Sequence, residues 1–164
     1  KMKIEESSIV ETNDYKVIIY PASRKMKAKE VKEITEKLFD FLPRWNAHGK
    51  PLSSSFKIDF SQFIIITVDE ENVQVSGCSV DALNALMKDI DKEYNLGLFD
   101  RMKACYLENN EVKTLNLNDF RLAIKNKEVS SEIEVFDFSK DSYVNYLSDF
   151  KLPLRRSWAG IYWD

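Results

Sequence analysis

The chain reads as an α+β domain of ferredoxin-like order, β-α-β-β-α-β, followed by a mixed C-terminal extension. Three observations predict this. Apolar residues recur at steps of three and four over two segments, which marks two amphipathic helices. Short β-branched and aromatic runs stand before, between and after those segments. With 164 residues, 44% of them hydrophobic and 12% aromatic, the chain can bury a core without staples.

Residues 1–14 are polar and read as a flexible lead-in. Tyr15 to Tyr20 is a strand stopped by Pro21. Val31, Ile34, Leu38 and Phe41 form one face of a helix from about Ala28 to Leu42, which Pro43 breaks. His48-Gly49-Lys50-Pro51 is a loop. Phe56 to Phe60 alternates as a half-wet strand, and Ser61-Gln62 turns tightly into Phe63–Val68, apolar except at Thr67, as a central strand would be. Gly77 opens a turn into a second helix marked by Val80, Leu83, Leu86, Met87, Ile90 and Tyr94, ending near Asn95 and Gly97. Lys103–Leu107 and Val112–Leu117 are strands joined at Asn109-Asn110.

Residues 15–117 thus form the sandwich core, and 118–164 an extension packed on it, because about 45 residues seldom fold alone. In the extension, Asn118 or Asp119 caps a helix from Phe120 to Asn126, Glu132–Phe138 alternates weakly as a strand, and Tyr143–Phe150 makes a helical turn or two. The tail, with Trp158, Tyr162 and Trp163, is rich in large rings that are expected to dock back onto the body.

Composition excludes several functions. A net charge of −3 argues against a dedicated nucleic-acid binder, although Arg24, Lys25, Lys27, Lys29 and Lys32 crowd one region. Two cysteines, Cys78 and Cys105, are too few for a disulfide framework and suit a reduced cytoplasm. With His48 the lone histidine, a multi-histidine zinc site is ruled out, and no metal or cofactor is expected. No apolar run reaches the roughly 18 residues of a membrane helix, and the start lacks a signal-peptide core.

The strongest local signal is the strand-to-helix passage from Phe63 to Tyr94. Asp69 and Glu70 follow the apolar strand, with Glu71 beside them and Asp59 on the neighbouring strand, a grouping that could hold a cation or simply face water. Ser76, Gly77, Cys78, Ser79 and Asp81 open the helix. Its amide end could hold a small anion, or the serines could cap it. Cys78 there is a candidate nucleophile with His48 as base and Asp69 or Asp81 as orienting acid, set against a plain packing thiol. Trp45 and His48 are candidates for a stacking or partner surface, and Arg101 for an acidic group. No catalytic set is assigned.

Arg44-Trp45 with Ala47-His48-Gly49, Phe63-Ile64 with Val68-Asp69-Glu70, Ser76 to Asp81, and Leu98-Phe99-Asp100-Arg101 occur together. This combination resembles a family of small uncharacterised proteins from Bacteroidetes-type bacteria, over roughly residues 15–160; some carry the label "ABC transporter ATPase". The resemblance implies a cytoplasmic bacterial protein. The ATPase label fails on the residues. There is no Gly-Lys-Ser or Gly-Lys-Thr, and Pro51 after His48-Gly49-Lys50 removes an amide that a phosphate loop requires.

A non-enzymatic binding or adaptor protein is therefore the leading expectation, its partner an unidentified protein met around Trp45, His48 and the Ser76–Asp81 turn. A homodimer is compatible with it. The alternatives are a thiol-dependent or anion-binding hydrolase or transferase centred on Cys78, and RNA binding on the sheet face through Phe56, Ile58 and Phe60, which lacks the aromatic-glycine signature.

Overall fold

The computed structural model describes residues 14–164, so the lead-in expected over 1–14 lies outside the described residues except for Asp14. The elements are β1 (Lys16–Pro21), α1 (Ala28–Phe41), β2 (Asn46–Ala47), β3 (Lys50–Pro51), β4 (Ser53–Asp59), β5 (Phe63–Asp69), α2 (Gly77–Tyr94), β6 (Lys103–Glu108), β7 (Glu111–Asn116), α3 (Leu117–Lys125), β8 (Glu134–Phe136), α4 (Tyr143–Asp149) and β9 (Lys151–Pro153). The class is α+β, with antiparallel pairing in each sheet.

Two sheets lie face to face between helices. The first has the order β1-β5-β4 and the second β7-β6-β8-β9; β2 and β3 form a small ribbon. Strand alternation assigns the faces. From β5, Ile64, Ile66 and Val68 point into a core with Ile34 and Leu38 of α1 and Leu83, Met87 and Ile90 of α2. Phe63 and Ile65 point the other way, against Cys105, Phe136 and Phe150. Ala104 and Tyr106 of β6 turn to the far side, where Phe120, Ala123 and Ile124 of α3 meet Leu154 and Ala159. The layers run helix, sheet, sheet, helix. This explains the unbroken apolar run in β5: both its faces are buried.

The sandwich expected from sequence keeps three strands in one sheet, β1-β5-β4, with α1 and α2 on one face. Strand β6 instead pairs with β7 and β8 (Tyr106↔Val135, Leu107↔Glu134), so the second sheet crosses the boundary expected after Leu117. Its members pack against Phe63 and Ile65, on the face of the first sheet opposite α1 and α2, where Tyr143 and Tyr146 of α4 join them.

Local chemistry moves several boundaries. β4 begins at Ser53, not Phe56, because Ser53, Ser54 and Ser55 find ladder partners in Asp69, Val68 and Thr67. The loop expected over residues 48–51 is half turn and half strand: His48 (φ 53) and Gly49 (φ 79) take the left-handed conformations a two-residue turn needs, and Lys50-Pro51 is β3. α2 starts at Gly77. α3 is capped by Asn116, whose Oδ1 accepts the Asn118 N–H at 2.9 Å, rather than by Asn118 or Asp119. β9 has no sequence signal; it is a strand because β8 offers it an edge. The tail docks through Trp158, which donates its indole N–H to Phe136 O (3.0 Å), and through Trp163 beneath Lys127 (3.7 Å).

Candidate functional site

The residues singled out from sequence divide between two places. Trp45 is buried in the helix-side core and donates its indole N–H to Ser79 O at 2.8 Å, so its ring is packing rather than a platform for a partner. Ser76 and Ser79 cap each other: the Ser76 hydroxyl accepts the Ser79 N–H (3.1 Å), and the Ser79 hydroxyl accepts the Ser76 N–H (2.7 Å) while donating to Ser76 O (2.8 Å). The two serines are thereby committed to the helix start. Gly77, Cys78 and Asp81 are exposed in the first turns of α2.

His48, Glu70 and Ser76 line one open hollow of about 490 Å³ between the β2–β3 turn and the 70–76 loop. The acids there serve the loop. Glu70 accepts the Val75 N–H (2.9 Å) and Asp69 the Glu71 N–H (3.0 Å). Asp59 is held by the Tyr146 hydroxyl and by Lys57 (3.7 Å). Among the described residues no hydrogen bond joins Cys78 to His48, and no group of three or more His, Cys, Asp or Glu is set to hold a metal ion. No described helix is long and apolar enough to cross a membrane.

Arg101 lies elsewhere, in a groove of about 410 Å³ along the outer edge of β1. Its floor is Ile18 to Pro21. One wall is Leu98 to Arg101, from the loop after α2, and the other is Phe138 and Ser139. Phe99 is steadied edge-on by Tyr20 (5.9 Å between centroids), and Tyr20 is fixed by its hydroxyl bond to Asn84 Oδ1 (2.6 Å). Burial pushes the Tyr20 phenol above its ordinary range, so it stays neutral. A mostly apolar concavity with a few converging polar groups is the usual form of a binding site.

Lys103 closes one end of this groove. It is only 8% exposed, and its ammonium donates to Pro21 O (2.6 Å), Gly97 O (2.6 Å) and Ser23 Oγ (3.1 Å). All three ammonium hydrogens are used, but no carboxylate neutralises the charge among the described ion pairs. Burial lowers its pKa, with Cys105, Asp100 and Asp91 opposing. Gly97 makes the arrangement feasible: its φ of +68° suits glycine, and an added Cβ would stand 2.4 Å from Ser23 Oγ. Arg101 is exposed and also lacks an ion pair among the described residues, while Asp100 turns one oxygen to the Met102 N–H (2.9 Å). The groove therefore holds two cationic side chains against one carboxylate.

Sequence reading found Arg101 but missed Ile19, Tyr20, Phe99, Phe138 and Lys103. The available signal was Lys103 itself: a lysine at the head of the apolar run Ala104-Cys105-Tyr106-Leu107, on the same face as Cys105, must either surface or find acceptors. The chain matches no family model, no curated protein and no solved structure.

Proposed function

We propose that this is a non-enzymatic binding or adaptor protein, and that it receives a protein partner in the groove along β1. One observation carries the reading. Among the described residues, the outer edge of β1 is occupied at both ends and open between them, inside a concavity where Arg101 has no ion pair.

The sandwich order supports it. We read β1, α1, β4, β5 and α2 as a ferredoxin-like unit whose fourth strand would lie beside β1. Lys103 touches the end of β1, and β6 then departs into the second sheet, which leaves that place to the groove. On the resemblance, together with two unbridged cysteines, we assign the protein to the bacterial cytoplasm.

A photo-crosslinking residue at the exposed Met102, beside the groove, tests the reading in cells. Capture of a discrete partner at Met102 that is lost on Arg101→Glu, with none from a crosslinker at exposed Glu36 on α1, is the expected result. Equal capture at both positions, or none at Met102, overturns it.

A further inference from the structure

We infer that the partner enters as an extended peptide that pairs with β1 at Ile19 and sets an acidic side chain against Arg101. This rests on the binding reading above and specifies its ligand.

The backbone defines the opening. The Val17 N–H donates away from the sheet to Asp141 O at 2.9 Å, and Tyr15 O accepts the Tyr143 N–H at 2.7 Å. Odd-numbered residues of β1 therefore face outward, while Lys16, Ile18 and Tyr20 face β5. Three outward positions fall within the strand. Val17 has given its N–H to the 141–143 segment. Pro21 has no N–H, and its carbonyl accepts Lys103. Ile19 remains, and its N–H and C=O have no partner among the described residues. Adjacent N–H and C=O groups of one residue form the closely spaced pair by which antiparallel strands join.

The opening is short. At about 3.4 Å per residue, the edge from Val17 to Pro21 spans roughly 14 Å, room for three or four residues of an added strand. The blocked ends stop sheet growth from propagating, the usual protection of an exposed edge. They do not block one peptide, whose main chain would bond Ile19 and whose alternate side chains would meet Phe99 on one wall and Phe138 on the other. The excess of cationic over acidic groups in the groove selects an acidic residue near Arg101.

The test uses the full chain and pools of acetylated, amidated hexapeptides, each pool fixing one residue at one position. The expected result is preferential binding of pools that fix Asp or Glu, at least tenfold slower hydrogen exchange at the Ile19 amide, and at least tenfold weaker binding by Ile19→Pro and by Arg101→Glu. Proline is tolerated on an edge strand where the lost N–H points outward. If Ile19→Pro nevertheless unfolds, the exposed Arg101→Glu and the exchange of the wild-type Ile19 amide carry the test. Pools that shift groove resonances while Ile19 exchanges as in the free chain overturn strand pairing and leave the binding reading intact. If no pool shifts any groove resonance, both fall. Protection of Ile19 without peptide that rises with protein concentration assigns the edge to a second copy. Protection without peptide that disappears on deleting residues 1–13 assigns it to that segment. Either of these overturns a peptide partner.

Discussion

At the scale of single residues, charge is held in two ways. Lys103 is held by oxygens alone. Glu30 shows the other solution. Arg24 grips both its oxygens at 2.8 Å, the Lys27 N–H adds a bond at 2.8 Å, and the Arg24 guanidinium, the larger influence, holds the carboxyl at about 2 instead of the ordinary 4.5. A carboxyl whose pKa falls on folding stabilises the fold above its unfolded pKa. That stability is lost as pH drops from about 4.5 through about 2. Because Arg24 is 38% exposed, solvent screens part of the gain. Glu30→Gln should cost about 1 kcal/mol at neutral pH and flatten the acid limb of stability against pH. Urea unfolding at a series of pH values checks this, and parallel curves for the two proteins would contradict it.

At the scale of elements, caps and turns decide where the helices and hairpins begin. The reciprocal Ser76–Ser79 cap starts α2 three residues before its first apolar marker, Val80. Ser76→Ala removes the acceptor for the Ser79 N–H and should lower stability by about 1 kcal/mol, seen as a lower midpoint in thermal melts with the helical circular dichroism unchanged at low temperature. If the melt is unmoved, solvent serves that amide equally well. Asn109 (φ 53) and Asn110 (φ 63) suit the left-handed turn between β6 and β7. Phe60 (φ 55) and Ser61 (φ 52) adopt similar angles without that chemistry, and the Phe60 ring is anchored on Phe136 at 5.3 Å.

At the scale of the molecule, two packed sheets share one interior. Gln62 ties them, donating from Nε2 to Ala22 O and Thr114 Oγ1, each at 2.9 Å. β5 serves the helix side and the sheet side at once. Ile64→Ala and Ile65→Ala should therefore each cost about 2–5 kcal/mol, although they face opposite ways. Denaturant unfolding measures both. A loss below about 1 kcal/mol at Ile65 would mean that the sheets do not pack as one core. The same interior makes 118–164 integral to folding. Phe136, Tyr146 and Phe150 cover Phe63 and Ile65, so a chain ended at Leu117 should fail to melt cooperatively.

Much of this was legible in the sequence, because it depends on near neighbours. The apolar periods of α1 and α2, the stop at Pro43, the Asn109-Asn110 turn and the doubly buried run of β5 follow from side-chain spacing and backbone freedom. The candidate residues Ser76, Ser79, His48 and Arg101 were visible as types, but their roles were not. Whether Trp45 faces a partner or a core, or whether a serine binds an anion or caps a helix, depends on what comes near from distant parts of the chain. Only the tertiary structure decided that β6 leaves β1 for β7 and β8, that Lys103 reaches Pro21 and Gly97, and that Ile19 keeps an open edge. Strand pairing and buried hydrogen bonds join residues that are far apart in sequence, and no local pattern records which edge a strand will choose.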